Sequence, residues 1–204
     1  MIPELERIYR PFEPEQTVIS AITKYSNWKF PALELFPHDG QYTKIMVGND
    51  PLYMADTNDK YLASSVEQFS VPFQRKIRSY KIDGADDLSN LPQGQFGLVL
   101  CMNSFNFMIP QEINLYLTRV YDLLSPGGVF IFQYNDAHTV DGAEKFEEGR
   151  MVFTTREMIM SFVTDIGFAE QELIQSTHSI MVVAKPGTLT TIKMHPVLGK
   201  ILYK

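Results

Sequence analysis

Along this chain, apolar runs at residues 29–36, 52–56, 96–102 and 129–134 alternate with segments whose apolar side chains recur every three or four positions. Residues 77–82 add a fifth run, alternating apolar and polar. A strand buried on both faces reads as an unbroken apolar run, and a helix covering it shows a single apolar stripe. The pattern therefore predicts a mostly parallel sheet covered by helices on both sides. Two more strand-like runs, 169–175 and 179–184, are separated only by Ser176, Thr177 and His178. So short a connection leaves no room for a crossover, and the final pair is expected to be antiparallel.

The helical segments have readable ends. Across residues 14–28, Val18, Ile19, Ile22 and Tyr25 are spaced for a first helix ahead of strand one. Pro37-His38-Asp39-Gly40 then reads as a strand-to-helix turn, with room for about two helical turns over residues 41–47 before Gly48. A helix carrying Tyr61, Leu62 and Val66 is expected after strand two. Pro110 opens another, with Ile113, Leu117, Val120 and Leu124 on one face, and Ser125-Pro126-Gly127-Gly128 is expected to end it. Residues 135–150 read as a polar connection. Thr154 or Thr155 should cap a last helix that buries Ile159, Phe162, Val163 and Ile166 and closes at Gly167.

Composition narrows what such a chain can do. With 204 residues and 45% hydrophobic content, one core is the economical arrangement, and residues 1–186 are read as one α/β domain. Residues 187–204 are too apolar for a free tail. They are expected to pack on the domain or on a partner, as in a homo-oligomer or a structural assembly. Eighteen basic against 24 acidic residues give a net charge of −6, which disfavours a nucleic-acid groove. Cys101, the single cysteine, sits inside an apolar run and reads as a buried thiol in a reducing compartment. No apolar run is long enough to cross a bilayer and the first residues lack a leader's pattern, so a cytoplasmic protein is expected. The four histidines are scattered, giving no metal-ligand spacing. Phosphate-loop and nucleophile-elbow motifs are absent as well.

Five local stretches, in order, resemble the motifs of class I S-adenosylmethionine-dependent methyltransferases. They are Leu33-Glu34-Leu35-Phe36-Pro37-His38-Asp39-Gly40, Asp56 at the end of strand two, Ala85-Asp86-Asp87-Leu88, Gln95-Phe96-Gly97-Leu98-Val99-Leu100, and Leu123-Leu124-Ser125-Pro126-Gly127-Gly128. The chain also looks like methyltransferase-like proteins encoded by tailed phages, which would place it in a host cytoplasm or a virion. The resemblance implies a Rossmann-like, doubly wound, mostly parallel seven-stranded sheet with an antiparallel terminal strand. It implies S-adenosylmethionine as cofactor, in a crevice formed by Glu34, Phe36, His38, Gly40, Asp56, Asp83, Ala85, Asp86 and Asn103. A small molecule or a protein would be the methyl acceptor, with Asp136 or His138 as a base on the acceptor side.

One part of the pattern departs from the family. Phe36 and His38 stand where glycines usually let the backbone approach the methionine half of the cofactor, and only Gly40 remains. Two readings follow. Either the loop takes another path and still binds, or its side chains fill the site and leave an inactive methyltransferase-fold protein with a structural or interaction role.

Overall fold

The computed structural model describes residues 15–175, 179–189, 193–194 and 201–202. Residues 1–14, the connection 176–178 and most of the stretch beyond 189 lie outside the described residues, and with them His178, His195 and much of the expected packing segment.

Seven strands form one sheet: β1 (Ala32–Leu35), β2 (Leu52–Asp56), β3 (Ile77–Lys81), β4 (Phe96–Cys101), β5 (Leu124–Tyr134), β6 (Ala169–Gln175) and β7 (Ser179–Ala184). Their order is β3-β2-β1-β4-β5-β7-β6. The first five run parallel, while β7 is antiparallel to both β5 and β6. Among the described residues, six α-helices accompany them: α1 (Gln16–Tyr25), α2 (Asp59–Glu67), the single turn α3 (Val71–Gln74), α4 (Pro110–Leu123), α5 (Val140–Glu147) and α6 (Arg156–Ile166). Two residues of β8 (Lys193–Met194) pair antiparallel with two of β9 (Ile201–Leu202). The sheet is the doubly wound, mostly parallel arrangement that the alternation of runs predicts.

Because side chains alternate across a strand, each central strand feeds two cores. Leu33, Leu35, Val99, Phe130 and Phe132 face α4 and α6 and meet Ile113, Leu117, Val120, Ile159 and Val163. Ala32, Leu98, Leu100, Ile131 and Val182 face the other way and meet Val18 and Ile22 of α1. Each such side chain contributes about 1.5–3 kcal/mol by leaving water. The whole of β4 is buried, as befits the strand at the centre.

Four local expectations are corrected. Strand one covers Ala32–Leu35 and not 29–36, because its partners Leu52 and Leu98 begin only opposite Ala32 and Phe36 turns left-handed. Residues Thr43–Gly48 form a 3-10 helix in place of two α-helical turns. Strand β5 begins at Leu124 and carries Ser125-Pro126-Gly127-Gly128 within it, across a register shift against β4. Gly128 allows this, since a Cβ there would stand 2.5 Å from the Phe96 carbonyl. The polar stretch 135–150 contains α5, whose N-terminus Thr139 caps by accepting from the Gly142 N–H at 3.1 Å.

Strand order reverses between β1 and β4, and in an open α/β sheet the crevice outside the carboxyl ends at that point is where ligands bind. The loops after β1, β2 and β4 therefore converge where a site belongs.

Candidate functional site

The loop leaving β1 is held by its backbone. The Phe36 N–H donates to the Ala55 carbonyl at 2.8 Å, Gly40 to Pro37 at 2.7 Å, and the Ser65 hydroxyl to the His38 carbonyl at 3.1 Å. Along it φ is positive at Phe36 (56°), His38 (53°) and Gly40 (72°). For a residue with a Cβ, the left-handed region costs about 1–2 kcal/mol, so this is a glycine-type path taken by a phenylalanine and a histidine. Gly40 itself has no freedom to change, because a Cβ would meet the Gln68 amide nitrogen at 2.9 Å and the Ser65 backbone at 3.2 Å.

Burial of the two side chains offsets the strain. Phe36 is 6% exposed and packs edge-on against Tyr116 of α4, ring centroids 5.5 Å apart. His38 is 8% exposed. Its Nε2 lies 3.2 Å from the Ser104 Oγ and its ring lies 5.7 Å from that of Tyr61. Between Glu34, Phe36, His38, Tyr42, Met102 and Asn103, the remaining cavity measures about 10 Å³. That is about the space of one water, whereas small-molecule sites run to about 300–1,000 Å³.

The acidic members of the crevice are also enclosed. Glu34 accepts a hydrogen bond from the Thr43 hydroxyl. Burial pushes its carboxyl up to about 8, against the Thr43 bond that favours ionisation; the nearby Asp39 and Asp56 push it further up. It therefore holds a proton at neutral pH. Asp56, at the carboxyl end of β2, is 2% exposed, and its Oδ1 accepts from the Asn58 N–H at 2.8 Å.

The other sequence-derived residues are spread more widely. Ala85 is buried at the start of a 3-10 turn, Ala85–Asn90, while Asp83 and Asp86 are exposed. Asp86 points to α4, where it pairs with Arg119 at 2.6 Å. Half-buried Asn103, with φ 57°, donates its N–H to the Gln133 side chain at 3.1 Å. Asp136 is buried, its Oδ1 accepting from the His138 N–H at 3.1 Å and the Arg156 N–H at 3.4 Å. His138 is exposed, with Nδ1 3.1 Å from Glu157. The structure thus brings Glu34, Phe36, His38 and Asn103 around one small cavity and gives Asp136 to backbone capping. Ser104, Thr43 and Tyr116 complete the crevice unannounced. Ser104 and Tyr116 reach it by long-range contacts and Thr43 from nine residues past Glu34, and no spacing in the sequence signals them. Among the described residues, no group of three or more His, Cys, Asp or Glu is placed to hold a metal ion.

Comparison with known proteins follows the same line. No protein-family model matches the chain. A curated relative, the carboxy-S-adenosyl-L-methionine synthase of Shewanella piezotolerans, is 26% identical over 110 residues, which is 53% of this chain. The match spans 41% of that relative's length. Among solved structures, an S-adenosylmethionine-dependent methyltransferase from Clostridium acetobutylicum superposes with a TM-score of 0.66 at 15% identity, covering 83% of this chain and 89% of that one. The magnesium protoporphyrin IX methyltransferase of Synechocystis, solved with bound S-adenosylhomocysteine, gives 0.64 at 12% identity over 83% of this chain and 80% of its own.

The chain therefore has the Rossmann-like fold of class I methyltransferases, and S-adenosylmethionine is the cofactor that fold carries. In this structure the crevice is closed down to a cavity of about 10 Å³. The Phe36 and His38 side chains stand buried at the positions that the family resemblance assigns to the methionine half, and Asp56 is buried as well.

Proposed function

We propose that this protein is a methyltransferase-fold module whose cofactor cleft is filled by its own side chains and whose role is structural or interactive, without methyl transfer. The supporting observation is that only about 10 Å³ remains between Glu34, Phe36, His38, Tyr42, Met102 and Asn103, with Phe36 packed on Tyr116 and His38 bonded to Ser104. Calorimetric titration with S-adenosylhomocysteine tests it. The expected result is no heat and no thermal stabilisation at millimolar ligand, and saturable micromolar binding would overturn it.

A second reading is favoured by a different observation. The loop keeps positive φ at all three positions, and Glu34, Gly40 and Asp56 are the residues that the sequence resemblance aligns with the family's cofactor motifs. On that reading only two side chains must swing aside for the chain to serve as an S-adenosylmethionine-dependent methyltransferase on a small molecule or a protein. The same titration separates the two. In either case the net charge of −6 argues against nucleic acid as partner. No helix among the described residues is long and apolar enough to cross a membrane. A site in a host cytoplasm or a virion belongs to this proposal, on the resemblance to phage-encoded proteins.

A further inference from the structure

Parallel pairing brings three connections together at the amino edge of the sheet, the edge opposite the crevice. Ala32 of β1 is in register with Leu52 of β2, and Leu52 with Ile77 of β3. The residues just ahead of each strand therefore converge. Trp28, Lys29, Val47, Gly48, Asp50 and Lys76 line an open groove of about 710 Å³, a size within the range of small-molecule sites.

The groove has an aromatic wall on a fastened turn. Trp28, the single tryptophan of the chain, is 70% exposed, whereas Phe30, two residues on, is buried. The Phe30 N–H donates to the Asn27 carbonyl at 3.0 Å, and the Lys29 N–H to the Asn27 Oδ1 at 3.1 Å. Asn49, 3% exposed, holds this turn from below. Its Oδ1 accepts from the Asn27 N–H at 3.1 Å, and its Nδ2 donates to the Ser26 hydroxyl at 3.2 Å and the Met46 carbonyl at 3.1 Å. A backbone fixed in this way leaves less freedom to lose when a ligand meets the indole. Gly48 keeps the floor of the groove clear. Its backbone is outside the left-handed region and a Cβ there would meet nothing within 4 Å, so neither conformation nor packing asks for glycine, and a longer side chain would enter the groove.

The charge around the groove is positive. The Lys29 Nζ stands 5.5 Å from the centre of the Trp28 ring, which presents a cation and a π face together. Lys76 lines the groove, and Lys44 precedes Val47 by one turn of the 3-10 helix, on the same face. Asp50 is the one acid in the lining, 3.1 Å from the Lys76 Nζ. Among the described residues, Lys29 and Lys44 pair with no carboxylate.

We infer that this groove binds a small aromatic anion of the nucleoside monophosphate class, its base stacked on Trp28 and its phosphate held by Lys29 and Lys76. A nucleic-acid strand would need successive stacking faces along a basic track. Among the described residues, the other exposed aromatic side chains of large apolar type, Phe107, Phe146 and Phe153, belong to segments that follow β4 and β5, at the carboxyl edge. The amino edge thus offers one stacking face, which suits one base.

Because Trp28 is the only tryptophan, its fluorescence reports the groove directly. Guanosine monophosphate is expected to quench it saturably, with a Kd below about 1 mM. Guanosine, which lacks the phosphate, should bind at least about fivefold more weakly, and so should the monophosphate to Lys29→Met/Lys76→Met. By calorimetry, Trp28→Ala should lose at least about fivefold in affinity with the stack, and Gly48→Leu should block the groove. The substituted positions are exposed, so each variant should keep the wild-type Tm. Excess S-adenosylhomocysteine, a ligand for the opposite edge, should not displace the monophosphate. Four outcomes overturn the inference: no saturable quenching of wild type below about 1 mM; guanosine or inorganic phosphate binding as tightly as the monophosphate; any of the three variants binding as wild type does; or displacement by S-adenosylhomocysteine, which would put the ligand in the crevice.

Discussion

His38 and Ser104, 66 residues apart, are joined Nε2 to Oγ at 3.2 Å across the crevice between the loops after β1 and β4. The Ser104 hydroxyl also lies 3.2 Å from the Met102 carbonyl, which can only accept. One arrangement satisfies both contacts: serine donates to Met102 and accepts from the histidine Nε2–H. The imidazole is thereby tied across the crevice, at the position that the family resemblance assigns to the cofactor's methionine half.

Replacing Ser104 with Ala removes that acceptor while changing little volume. Leaving a buried donor without it costs about 1–3 kcal/mol. Ser104→Ala should lower the urea midpoint accordingly without changing the slope. If the midpoint stays at the wild-type value, the tie contributes nothing to holding the loop.

Phe36 combines an unfavourable backbone with a favourable side chain. Phe36→Gly relieves about 1–2 kcal/mol of left-handed strain but empties a ring-sized space beside Tyr116, and large-to-small changes of that size cost about 3–5 kcal/mol. The net expectation is a loss of about 2 kcal/mol, or roughly 4–8 °C in Tm for a chain of this length. Phe36→Gly/His38→Gly should be less stable still, yet it should bind S-adenosylhomocysteine where wild type does not. Failure of the double variant to bind, with its fold confirmed by circular dichroism, would mean that the crevice is lost for reasons beyond these two side chains.

How much of this was legible in the sequence depends on the reach of each signal. Strand β2 and the Pro110 start of α4 could be read at the residue, because a buried parallel strand and a proline at a helix's first position act locally. The start of β5 could not. Pro126, Gly127 and Gly128 have turn chemistry, and only the pairing of Leu124 with Phe96 and of the Gly127 N–H with the Lys185 carbonyl draws them into the sheet. Helix α5 was hidden by its polar composition; what marks it is the Thr139 cap and the fit of Gly142 against Asp136. In the crevice, the departure from glycine at Phe36 and His38 was visible. Its outcome was not, because the contacts with Tyr116 and Ser104 belong to tertiary packing.

Glu34 makes stability depend on pH. Its carboxyl is raised to about 8 in the folded protein, from an ordinary glutamate value of 4.5. Between those values the folded state holds a proton that the unfolded state has released, so stability is fully present below about 4.5. It falls as pH rises toward 8 and levels off above it, at a slope of about 1.4 kcal/mol per pH unit while the two states differ by one proton. Glu34→Gln keeps an acceptor for Thr43 and cannot ionise. It should match wild type near pH 5, exceed it by a few kcal/mol near pH 8.5, and flatten the profile between. Parallel profiles from denaturation at successive pH values would show that the carboxyl is not held neutral.

Asp136 gives the last test, because structure and chemistry predict different consequences for it. Its Oδ1 accepts from the backbone of His138 and Arg156, and its carbonyl accepts from the Thr139 N–H at 3.0 Å and the Thr139 hydroxyl at 2.8 Å. Gly142 must approach so closely that a Cβ would stand 2.0 Å from that carbonyl oxygen. Asp136 thus fastens the end of β5 to the starts of α5 and α6. Asp136→Ala removes the side-chain bonds and should cost about 1–2 kcal/mol, in the range of a lost cap. Asp136→Asn keeps an acceptor oxygen and should recover most of that stability. Gly142→Ala acts on the same junction from the other side and should raise amide exchange across residues 136–150 before the rest of the sheet. A base acting on a bound acceptor would give the opposite pattern, with Asn as damaging to activity as Ala and stability unchanged in both.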